Sequence, residues 1–77
     1  MDVNLKKQKL EMWRKQYKQL EIELAETMLA RGKAAQEGDL SENAAYKDYT
    51  EKSEMISAQI ASVQRMIKEL EKGESSS

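Results

Sequence analysis

Proline, cysteine, histidine and phenylalanine are all missing from this 77-residue sequence, and glycine occurs only three times. Without proline, nothing in the chain locks φ or removes a backbone donor inside a helix. Without cysteine there is no disulfide framework and no thiol nucleophile, and without histidine as well there is no zinc site of the usual kind. No apolar run approaches the roughly 20 residues that a membrane span needs. The N-terminal stretch MDVNLKKQKL lacks the apolar region of a signal peptide. The expected setting is therefore the cytoplasm, with no membrane partner. A chain of this length is one domain at most and buries only a modest core.

What is present points one way. Ala, Glu, Lys, Leu, Gln and Met dominate, and 35% of the residues are charged. All six are good helix formers, and the mixture is that of a long helix or coiled coil. The net charge is only −1, but it is unevenly spread. Residues 1–18 carry six basic and two acidic side chains, whereas residues 36–54 carry two basic and six acidic. A rod folded at its midpoint would have an acidic tip and a basic base; the plainer reading is an uneven, solvated surface.

The apolar spacing is helical on both sides of the middle. Leu10, Trp13, Tyr17, Leu20 and Leu24 step by 3, 4, 3, 4, as a heptad seam does. Tyr46, Tyr49, Ser53, Ile56, Ile60, Val63, Ile67 and Leu70 continue the same rhythm in the second half. If the chain folds back, facing positions should have a constant sum. A sum of 80 sets Leu10 against Leu70, Trp13 against Ile67, Tyr17 against Val63, Leu20 against Ile60 and Leu24 against Ile56. It also sets Thr27 against Ser53, Arg31 against Tyr49 and Ala34 against Tyr46, with the fold axis near Leu40. The expected fold is all-α: a two-helix antiparallel coiled-coil hairpin over residues 1–73, with its turn near Gly38–Ser41. The helices are expected at about 4–36 and about 42–72, the tip at 37–41, and a flexible tail or linker stub at 74–77. The polar Thr27–Ser53 and mixed Arg31–Tyr49 layers should leave the tip half less stable than the base half. Gly32 reads first as a tolerated surface glycine and second as a hinge. Gly73 suits a helix C′ position, with Lys68 and Lys72 favourable near that end.

The turn, EGDLSENAAY, holds Glu37, Asp39 and Glu42 within six residues. Its local explanation is helix capping. Gly38 can take φ > 0 and close the first helix as C′. Asp39 is an N-cap candidate, and Glu42 three residues later completes a D-x-x-E capping box. Ser41 is a weaker N-cap rival. The chemical reading uses the same spacing: Asp39 and Glu42 at a helix start can share a face and offer two hard oxygen ligands to Mg²⁺, though not a complete shell. A thin rod has no evident cavity, so no small-molecule ligand is expected and catalysis by the chain alone is not.

The stretch GDLSENAAY resembles the tip of the Gre transcript-cleavage factors of bacteria, whose N-terminal domain carries G-D-L-x-E-N-A-x-Y. Gly38, Asp39, Leu40, Glu42, Asn43, Ala44 and Tyr46 fill every fixed position, and the helix–tip–helix arrangement extends the likeness over essentially the whole chain. The resemblance implies a transcription elongation factor whose coiled coil enters the secondary channel of RNA polymerase. It is then an accessory factor, not an enzyme, that stimulates cleavage of backtracked RNA. Asp39 and Glu42 would help bind the second catalytic Mg²⁺, which the isolated chain does not hold. Leu40 and Asn43 would shape the tip, with Gly38 and Ser41 at the polymerase contact and Tyr46 packed behind. Arg31 and Lys33 are the nearest candidates for contact with the nascent RNA 3′ end, against the equal reading of solvated or tyrosine-stacked cations. Gre factors normally continue into a globular domain that grips the channel rim. This sequence ends in EKGESSS where that domain would start, so weaker polymerase affinity is expected.

Two other readings stand beside this one: a rod that occupies or competes for the same channel without promoting cleavage, and a purely structural coiled coil. Trp13, Tyr17 and Tyr49 lie on the seam and read as core rather than base-stacking residues. Lys6, Lys7 and Lys9 read as a solvated face, since so few charges bind nucleic acid only weakly.

Overall fold

The computed structural model describes residues 2–39 and 42–73. Helix α1 runs Val3–Ala35 and helix α2 runs Ala44–Lys72. They pack antiparallel along their length. The molecule measures 55 × 18 × 12 Å with a radius of gyration of 17.3 Å, against about 11 Å for a compact globule of this length. It is a rod. The expected tail at 74–77, and the Leu40 and Ser41 positions of the expected tip, lie outside the described residues.

The seam accounts for the packing. Each of the sixteen seam positions, eight per helix, is buried or half-buried. Among the described residues, the six that are buried all belong to the seam: Leu20, Thr27 and Ala34 on α1, and Ser53, Ile56 and Val63 on α2. Leu20, Ile56 and Val63 form the centre of the apolar cluster, flanked by Trp13, Tyr17, Leu24, Ile60 and Ile67. Because each helix meets only one neighbour, no large side chain among the described residues is wholly enclosed. Apolar residues off the seam, such as Ile22, Leu29 and Met55, stay exposed. The Thr27–Ser53 layer is more buried than most of the apolar ones, at 5% and 6% exposure. Ser53 avoids a desolvation penalty by bonding within its helix: its hydroxyl donates to the Thr50 carbonyl at 2.8 Å. The Thr50 hydroxyl donates in turn to the Tyr46 carbonyl at 2.9 Å. No buried side-chain polar atom among the described residues lacks a partner.

Polar links join the helices at the base. The Arg14 guanidinium meets the Glu71 carboxylate at 2.8 Å, and the Gln64 amide donates to the Tyr17 hydroxyl at 3.0 Å. Both partners of the ion pair are half-exposed or more, so it favours the register more than it adds stability.

The helix ends differ in detail from the expectation. Asp2 caps α1, accepting from the Asn4 N–H at 3.3 Å. At the other end of α1, Gln36 and Glu37 bond back three residues, to Lys33 and Ala34, each at 3.1 Å. This tightened last turn takes up carbonyls that would otherwise be orphaned, so a left-handed C′ glycine is not used. Gly38 does adopt a positive φ, +153°, but two residues beyond the Gln36 cap, inside the turn. Gly73 is right-handed, φ −51° and ψ −37°, with its N–H to the Leu70 carbonyl at 3.3 Å. It too ends its helix by a three-residue bond rather than as a left-handed C′.

Two substitutions probe this architecture. Ile56 is 3% exposed at the centre of the seam, and Ile56→Ala should cost about 3 kcal/mol, visible as a lower urea midpoint. Gly32 lies inside α1, and a methyl group added to its Cα would meet nothing within 4 Å. Gly32→Ala should therefore stabilise the rod by about 0.5–1 kcal/mol and raise Tm by roughly 3–6 °C in a circular-dichroism melt.

Candidate functional site: the acidic tip

The tip is built where α1 ends and α2 begins, and one side chain touches both. The Asn43 side-chain amide donates to the Ala34 carbonyl at 2.6 Å. Its carbonyl oxygen accepts from the Tyr46 N–H at 3.0 Å, so Asn43 is the N-cap of α2. The expected capping box does not form in this way: α2 starts at Ala44, and Asp39 is not its N-cap. The physical reason is that asparagine carries both a donor and an acceptor. It caps as well as aspartate does and also satisfies the last turn of α1, which a carboxylate has no proton to do. The cap candidates read from the sequence were Asp39 and Ser41, and Asn43 was missed, although an asparagine directly before a helix is itself a cap signal. The second bond could not be read locally, because its acceptor is a backbone carbonyl nine residues away.

The acidic residues line the turn beside this cap. Asp39 and Glu42 are both exposed, and the Glu42 N–H donates to the Asp39 carbonyl at 3.2 Å, closing a tight bend. With Glu37, Gly38 and Asn43 they surround a shallow recess of about 250 Å³. Three acidic residues thus border one concavity. By contrast, a groove of about 430 Å³ along the base half is lined by Trp13, Leu20, Met55, Val63 and neighbours, without a charged group.

Tyr46 and Arg31 back the turn. Both are half-buried, and the Arg31 guanidinium lies over the Tyr46 ring, 5.5 Å from its centre. The constant-sum pairing had set Arg31 against Tyr49; the cation instead reaches towards the tip, where the tyrosine face attracts it. Lys33 is exposed on α1 and is not brought to Arg31 by any contact seen among the described residues. Leu40 and Ser41 lie outside the described residues.

The donor set fits Mg²⁺ only in part. Carboxylate oxygens are the right ligand type, yet among the described residues no three acidic, cysteine or histidine side chains form a group that could hold a metal. No helix among the described residues is long and apolar enough to cross a membrane.

A slender helical hairpin with an acidic, capped turn defines the class. Over residues 3–71 the sequence matches the family described as transcription elongation factor, N-terminal. The chain belongs to this family, the N-terminal coiled coil of the Gre transcription elongation factors, which act as accessories to RNA polymerase. No curated protein and no solved structure matches the chain.

The capping assignment is directly testable. Asn43→Ala should cost about 1–2 kcal/mol in urea unfolding, whereas Asp39→Ala should cost less than half of that. Equal losses would return the cap to Asp39.

Proposed function

We propose that this protein stimulates cleavage of backtracked RNA by RNA polymerase, delivering Asp39 and Glu42 through the polymerase secondary channel. The observation that carries the reading is the convergence of carboxylates at the end of an 18 × 12 Å rod in a chain of the Gre family. A rod of that section is narrow enough to enter a channel, and its chemical groups sit at the end that would arrive first. Asp39 and Glu42 would hold Mg²⁺ together with ligands of the polymerase. Such an ion, when bound, activates water and neutralises charge on the scissile phosphodiester. The chain's own part is to place two fixed negative oxygens, hold the bend that spaces them, and orient water by accepting its hydrogens. Arg31 and Lys33, on the flank behind the tip, would meet the displaced RNA 3′ end. Arg31 would have to exchange part of its contact with Tyr46 for the phosphate.

A rod that occupies the channel without promoting cleavage needs no carboxylates at its tip, so the acidic recess favours the cleaving role. The test is RNA release from stalled, backtracked elongation complexes. Asp39→Asn or Glu42→Gln should reduce the stimulated rate by at least ~10-fold, the scale on which even outer partners of a metal site act, while each variant still competes with wild type for polymerase. Stimulation unaffected by both substitutions would refute the role of the pair. Slowed elongation with no cleavage from wild type would support channel occupancy instead.

A further inference from the structure

We infer that Asn43 is the positioning residue of the tip: its side-chain amide, bonded at once to α1 and α2, fixes the bend that holds Asp39 and Glu42 in their working arrangement. This rests on the cleavage reading above and adds to it a residue whose part is to position the acidic pair. Asn43 stands immediately after Glu42 and donates to the Ala34 carbonyl at 2.6 Å, across nine residues of sequence. It accepts from the Tyr46 N–H at 3.0 Å. The same Ala34 carbonyl accepts the Glu37 N–H at 3.1 Å. Glu37 and Asn43, the two ends of the acidic bend, are therefore tied to one atom. Ala34 is 5% exposed, and Asn43 is itself half-buried, so that atom is anchored in the seam. Tyr46, the other partner, is held from above by Arg31.

The chemistry of the side chain makes this separable from capping. Serine and aspartate are as good as asparagine at an N-cap, but neither has an amide donor to reach the Ala34 carbonyl. Ionised aspartate would set a negative oxygen against it. Asn43→Ser and Asn43→Asp should therefore keep α2 and lose the tie. The first leaves the tip charge unchanged and the second raises it, so an effect common to both belongs to the lost donor.

The experiment has two arms. In the isolated full chain, ¹⁵N relaxation should give order parameters near ~0.85 at Glu37, Gly38 and Glu42 in wild type, and below about 0.6 in Asn43→Ser. The Tyr46 amide should remain protected from exchange in both. In backtracked polymerase complexes, the factor concentration for half-maximal cleavage should stay within twofold. The cleavage rate at saturating factor should fall about 10-fold or more, and more Mg²⁺ should be needed to reach half of it. A merely structural loss would move the half-maximal concentration and the Tyr46 protection too. Tip order unchanged in Asn43→Ser, or a saturating rate equal to wild type in both variants, overturns the inference. Wild type that fails to stimulate cleavage overturns the positioning role together with the reading it rests on. That result is told apart from failure of the tie, in which wild type stimulates and Asn43→Ser matches it.

Discussion

Everything in this molecule depends on a single stripe of contact between two helices. Neither helix has a second neighbour, so the burial that makes either one stable is the burial of the seam. The apolar centre is small, with Leu20, Ile56 and Val63 at its heart. It lies near mid-length of the rod, and the layers towards the tip pass through buried Thr27 and Ser53 to half-buried Arg31 and Tyr46. Apolar burial, the non-directional force, is concentrated away from the turn. At the turn, directional bonds take over: the Asn43 tie, the tightened end of α1 and the cation over Tyr46.

That division explains why capping and chemistry coexist within a few residues. A helix start favours negative charge, so an acidic pair there is electrostatically at ease. The backbone donors, however, are met by an uncharged amide rather than by Asp39. The Tyr46 donor of the first turn is thus met by Asn43, and the acidic pair adds its charge to the field at the helix start. The family to which the chain belongs is one in which such a tip has a use.

The fold was legible in the sequence because a heptad seam is a long-range average. Misreading one position, such as Ser53, does not disturb the other fifteen, and the two halves check each other through their constant sum. The helix ends and the tip were less legible because they turn on single bonds. Asp39 with Glu42, and Asn43 with Tyr46, are both sound N-cap patterns three residues apart. What decides between them is the Ala34 carbonyl, brought into reach only after the hairpin closes. Gly38 and Gly73 likewise offered left-handed stops that the chain did not need, since three-residue bonds end both helices. Arg31 fell one turn nearer the tip than the layer rule placed it, because a long side chain follows the aromatic face it can reach rather than the level of its Cα.

The length of the rod sets a mechanical condition. Over 55 Å, a tilt of one degree at the base sweeps the far end by about 1 Å, twice the ~0.5 Å within which a working constellation must be held. A hairpin of this shape is a long lever, and gripping the handle cannot aim it. Whatever receives the rod must take hold of it close to the bend, so the walls at the end of its path, not the contacts at its entrance, decide where the carboxylates come to rest.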